Sequence, residues 1–125
     1  MAVKQVRYGE IVEVTFKFPD EGYKVHPALV LSGNNLQEDE SGMFYAVLIS
    51  SKNHNPQYTL EIQNDWLTKP LLKQSYFITH FMTYFTPDEV SKSYQIAVKR
   101  EYMDGIICKV IKSIFEWDVD IDDKY

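Results

Sequence analysis

Gly9-Glu10-Ile11-Val12-Glu13-Val14-Thr15-Phe16-Lys17-Phe18, then Pro19-Asp20-Glu21-Gly22, then Lys24-Val25-His26-Pro27-Ala28-Leu29-Val30-Leu31-Ser32, is the stretch that decides the fold. From Ile11 to Phe18 apolar and polar residues nearly alternate, the period of a half-buried strand. Pro19 cannot continue a hydrogen-bonded ladder and Gly22 accepts positive φ, so 19–22 reads as turn chemistry. A polar loop is expected to follow. The second strand then begins after Pro27, and Ala28-Leu29-Val30-Leu31-Ser32 is apolar on both faces, as in a buried strand.

Working outward, residues 33–42 are rich in Gly, Asn, Glu and Asp and read as a polar loop. Residues 43–50 and 58–62 read as the third and fourth strands, and 75–85 as one long strand or two short ones. Thr86-Pro87-Asp88-Glu89 has the chemistry of a helix start, with Thr as cap, Pro at the first position and acids in the first turn. The serines behind it limit that helix to a turn or two. From about Lys99 to Phe115, Tyr102, Ile106, Val110 and Ile114, with Met103, Ile107 and Ile111, recur at helical spacing. Gly105 within this run costs a helix about 1 kcal/mol relative to Ala. Short strands first and a helix last predict a mainly β fold. The expected form is a closed or half-open small barrel with a C-terminal α-helix and one short helix.

At 125 residues the chain has the size of one domain. Residues 1–116 are read as that domain and 117–125 as an acidic C-terminal tail. The chain is 45% hydrophobic and carries 9 Tyr, 7 Phe and 2 Trp, a mixture that favours pleated surfaces. The single cysteine, Cys108, excludes an internal disulfide framework, and its apolar neighbours point to a buried thiol. The N-terminal residues lack the apolar run of a secretory signal, and no run of 18 apolar residues occurs, so a cytoplasmic protein without a membrane span is expected. Net charge is −5, of which residues 116–125 hold −4, leaving −1 for the first 115 residues. A nearly neutral body is compatible with a local basic groove.

The chain contains no phosphate-binding glycine loop, dinucleotide fingerprint, zinc-protease helix or nucleophile elbow. His26, His54 and His80 share no metal-ligand spacing, so neither a metal nor a cofactor is expected. His80 is expected in the core or on the surface rather than in a site. The run Tyr76, Phe77, Phe81, Tyr84, Phe85 could stack bases, although most of it is expected in the core.

The order of these pieces resembles the MazF/PemK-like toxins of type II toxin–antitoxin systems, within the CcdB/PemK superfamily. In that family a G-[DE]-[IV]-V-x-V-x-F strand and a flexible loop precede R-P-A-[LV]-V-[LI]-S. Here Gly9 to Phe16 match the first piece and His26 to Ser32 the second. The family's next strand ends in Thr or Ser, as in Val47-Leu48-Ile49-Ser50-Ser51-Lys52. Its S-[YW]-[VF] segment is matched by Ser75-Tyr76-Phe77, and Thr83-Tyr84-Phe85 and the closing helix follow. The likeness covers roughly residues 8–115.

The resemblance implies an SH3-like barrel, a homodimer, metal-independent cleavage of single-stranded RNA, and inhibition by an antitoxin threaded across the RNA groove. By family position His26 and Ser50, with the neighbouring hydroxyl of Ser51, would carry the reaction. Lys24, Lys52 and His54 would contact RNA. The chain departs from the family at His26, where the family has Arg. An Arg holds phosphate with a permanent bidentate charge, and a His does not. Either His26 transfers protons while Lys24 or Lys52 supplies charge, or the chain is a catalytically inactive MazF/CcdB-like module binding an antitoxin, gyrase or RNA.

Overall fold

The computed structural model describes residues 5–115, so the acidic tail, 117–125, lies outside the described residues. β1 (Glu10–Phe18) and β2 (Gly22–Val30) form an antiparallel hairpin, in register from Ile11 opposite Leu29 to Phe18 opposite Gly22. Gly22 turns the chain at φ +76°, a value that costs a glycine nothing. Residues 23–26, expected as a loop, are therefore strand. Tyr23 and Val25 share one face there and stay exposed, so the segment buries no apolar face.

β3 (Phe44–Ser50), β4 (Thr59–Glu61), β5 (Tyr76–Phe85) and β6 (Val90–Ala97) complete one six-stranded antiparallel sheet, ordered β4-β5-β3-β2-β1-β6. β4 and β6 are its edges, so the barrel is not closed by a continuous ladder. A single bridge, Leu67 to Val98, links the segments that follow these edge strands. Flanking it, Thr68 N donates to Ala97 O at 2.9 Å and Lys99 N to Trp66 O at 2.8 Å.

Three elements differ from expectation. The polar run 33–42 contains a short helix, α1 (Asn34–Asp39), pinned by fully buried Gln37, whose Nε2 donates to Ser32 O at 3.1 Å. β6 is a strand where none was expected. Its polar Ser91, Lys92, Ser93 and Gln95 hide the period, and two register shifts against β1 and a φ of +57° at Gln95 break it. Thr86 opens only a 3₁₀ turn (Pro87–Glu89), closed by Glu89 Oε1 accepting from Thr86 N at 2.8 Å.

The sheet buries both faces. One side packs Ile11, Leu29, Val47, Ile49 and Phe77 under α2 (Arg100–Phe115), which contributes Met103, Ile106 and Val110. Each such side chain adds about 1.5–3 kcal/mol when fully buried. α2 runs unbroken through Gly105, and Cys108 is buried on it. The other side, inside the curl, holds Val12, Val14, Ala28, Val30, Phe44, Ala46, Leu48 and Phe85. Among the described residues no helix is long and apolar enough to cross a membrane.

Candidate functional site

The inner row of side chains shared by β2 and β3 ends in polar residues. Val30 pairs with Ala46 and Ala28 with Leu48, both buried pairs. Two residues further along each strand, in the same register, come His26 and Ser50. Pro27 between them has no N–H to extend the ladder. The strands part there, and a groove of about 570 Å³ opens at the mouth of the curl.

His26 is held at this mouth from two sides. Its ring packs against Phe18, with centroids 5.1 Å apart, and Nδ1 lies 3.5 Å from the Ile49 carbonyl oxygen. At that distance the contact orients the ring more than it binds it. Ser50 Oγ accepts from Lys52 N at 3.1 Å, which folds the chain after β3 back over the groove. Asn53 Oδ1 accepts from Thr59 Oγ1, tying the same loop to β4. Lys24 reaches in from the hairpin and pairs with Glu21 Oε1 at 2.7 Å. Lys24's hydrogen bond, and then its charge, holds the Glu21 carboxyl below its ordinary value.

All six residues singled out from the sequence, Lys24, His26, Ser50, Ser51, Lys52 and His54, line this one groove. Lys73 and Ser75, not singled out as site residues from the sequence, also line it, as does Phe81, named there only within an aromatic run expected mostly in the core. Three lysines thus face one carboxylate, and the groove is cationic. His80 lies outside it, half-buried between the rings of Tyr58 and Phe81 at 4.9 and 4.7 Å.

The aromatic run of β5 corrects an expectation. Only Phe77 and Phe85 are in the core, whereas Phe81 is 43% and Tyr84 60% exposed. Tyr84 lies in regular register opposite exposed Tyr45, on the outward face, whereas for Phe81 the cause is a register shift. Val47 faces Met82 and Ile49 faces Phe77, so β5 takes five residues to cover what β3 covers in two. The surplus turns Ile78 and Phe81 into the groove. Among the described residues, no three His, Cys, Asp or Glu side chains gather as a metal-binding group.

A curled antiparallel sheet, a helix across its outer face and a cationic groove at the parting of β2 and β3 define a small, half-open β-barrel. The chain belongs to the family of PemK-like, MazF-like toxins of type II toxin–antitoxin systems, which it matches over residues 7–111. No curated protein sequence matches it significantly. Solved structures share its fold at low identity. MazF from Deinococcus radiodurans superposes with a TM-score of 0.68 at 13% identity, over 87% of this chain and 96% of that one. An endoribonuclease from a mycobacterial species, solved in complex with its cognate antitoxin, gives 0.65 at 17% identity, over 86% and 93%. The Mycobacterium tuberculosis toxin MazF-mt6 gives 0.64 at 11% identity, over 88% and 99%.

Proposed function

We propose that this protein is a toxin-like endoribonuclease that cleaves single-stranded RNA without a metal, acts in the cytoplasm as a homodimer, and is inhibited by a cognate antitoxin. One observation carries the reading. The imidazole, the hydroxyls and the lysines that such a reaction needs converge in a single groove, although they come from two strands and a loop. Family membership and the antitoxin bound to a structural relative support the same reading.

The chemistry uses the substrate's own 2′-OH. Its oxygen bonds to the adjacent phosphorus while the bond from phosphorus to the 5′-oxygen breaks, leaving a 2′,3′-cyclic phosphate and a 5′-OH. The Ile49 carbonyl, 3.5 Å from Nδ1, can only accept, and the tautomer with the ring proton on Nδ1 is the one that suits it. In that tautomer Nε2 keeps its lone pair and takes the 2′-OH proton as general base, while the leaving 5′-oxygen takes its proton from water in the open groove. Lys24 and Lys52 hold the non-bridging oxygens as charge builds on phosphorus, with Ser50 and Ser51 as neutral donors. RNA phosphate must displace Glu21 from Lys24, a small cost for an exposed ion pair. The inactive binding-module alternative draws no support from the family match or from the shared folds.

The test is a short RNA with a single 2′-deoxy nucleotide placed 5′ to the mapped cut. Loss of that cut alone, with neighbouring cuts retained, fits attack by the 2′-OH. Persistent cutting there would reject it. Ser50→Ala is expected to lower cleavage about 100-fold to 1,000-fold, in line with loss of one phosphate donor.

A further inference from the structure

The two walls of the His26 groove run on beyond it. In that groove the β1–β2 hairpin contributes Phe18, Lys24 and Val25, and β5 contributes Ile78 and Phe81. The same two elements then flank a second groove of about 510 Å³. Phe16, Lys17 and Tyr23 line its hairpin side, and Thr83, Tyr84 and Phe85 its β5 side. Phe16 joins the two grooves, its ring 4.8 Å from that of Phe18 and 6.4 Å from that of Phe85. Phe81 and Thr83 are about 6.6 Å apart along their strand. An RNA strand that fills the first groove therefore has the second within reach of its neighbouring bases.

The second groove has the parts of a base site. Tyr23 is 72% and Tyr84 60% exposed, one on each wall, and such rings offer stacking faces to an unstacked base. Each ring is steadied from behind. Lys17 Nζ stands 5.8 Å from the Tyr23 centroid, and Tyr84 packs edge-to-face with Tyr45 at 6.3 Å. Asp88 and Glu89, in the 3₁₀ turn after β5, bring two carboxylates to the groove. Two acids against one lysine repel a bare phosphate chain, so the groove suits a base better than a backbone. Glu89 Oε1 is taken up by Thr86 N at 2.8 Å, whereas exposed Asp88 accepts from Thr86 Oγ1 with one oxygen and keeps the other. An ionised carboxylate only accepts. Guanine alone among the four RNA bases presents two neighbouring donors, N1–H and N2–H, on its pairing edge. We propose that this second groove is a guanine subsite, with Tyr23 and Tyr84 stacking on the base and Asp88 reading its donor edge. It would select the RNA that the first groove cuts.

The proposal rests on the nuclease reading of the first groove, and the test on the full chain keeps the two apart. Two uncleavable 2′-O-methyl dodecamers of uridine are compared, one with a central guanosine and one with inosine there, which lacks only the 2-amino group. Wild type is expected to bind the guanosine strand about tenfold more tightly, the worth of one charge-assisted hydrogen bond. Asp88→Asn is expected to level the two strands, a coupling that a merely structural role would not produce. Tyr23→Ala and Tyr84→Ala should each weaken binding of the guanosine strand about fivefold to 100-fold. Both rings are exposed, so the fold should hold in either variant. Equal binding of the two strands by wild type, or a preference that persists in Asp88→Asn, overturns the proposal. So does a guanosine strand bound as tightly by both tyrosine variants as by wild type. In each of these cases cutting of a long RNA by the same wild-type protein leaves the nuclease reading standing. RNA neither bound nor cut by wild type rejects that reading and the subsite with it.

Discussion

His26 Nδ1 lies 3.5 Å from the carbonyl oxygen of Ile49, the residue before Ser50, at the point where β2 and β3 part. That relationship joins fold to chemistry. The same register that buries Ala28 against Leu48 delivers an imidazole and a hydroxyl side by side two residues later, where the sheet has run out of core. The apolar row fixes the strands, and the strands fix the polar pair.

Phe81 gives a prediction that separates binding from folding. It is 43% exposed on the groove wall, and truncating it removes little buried surface. Phe81→Ala is expected to weaken RNA binding by about 1–3 kcal/mol, the range of one lost base stack. Thermal stability should stay within about 0.5 kcal/mol of wild type. Oligonucleotide titration and thermal unfolding on the same preparation check both. A large loss of stability would place Phe81 in the core after all.

Gly42 tests the turn that leads into β3. It sits at φ +90°, and a Cβ built there would stand 2.5 Å from Pro87 Cγ, inside any real contact. Proline cannot swing aside as a flexible side chain would. Gly42→Ala is expected to cost about 1–3 kcal/mol, measured by denaturant unfolding. A neutral result would mean that the 3₁₀ turn at Pro87 is not packed as described.

Tyr94 gives a pH dependence with a definite sign. Burial, and then its bond to Glu13 Oε2 at 3.1 Å, raises its pKa above the ordinary 10.0. The folded chain therefore holds that proton where the unfolded chain has released it. The contribution is complete below pH 10.0 and is lost as pH rises through the folded-state value. Tyr94→Phe is expected to be less stable by about 0.5–1.5 kcal/mol at neutral pH, the net worth of the hydrogen bond. The gap should narrow above pH 10.0. A gap that widens there would contradict the assignment.

Much of this was legible in the sequence because burial writes a period. The strands 11–18 and 43–50 and the last helix each bury one face or two, and hydrophobicity reports it. The hairpin tip and β6 were not legible. Tyr23 to His26 bury no face, and β6 is polar and twice out of register with β1. The groove followed the same division. His26 and Ser50 could be found from their place in a family pattern, and Lys24 and Lys52 from their nearness to them. Lys73 could not, because it lies in an irregular segment, and Phe81 could be named only as one of an aromatic run, because the surplus residues that turn it outward leave no period.

The most direct measurement of the central claim is cleavage of a long single-stranded RNA in EDTA by wild type and by His26→Ala. The account predicts cutting at a short recurring motif by wild type. In the variant cutting should fall by about 100-fold to 10,000-fold, the worth of a general base. Its circular dichroism and unfolding midpoint should be preserved. A well-folded wild type that leaves the RNA intact, or a His26→Ala variant that cuts as fast as wild type, would contradict it.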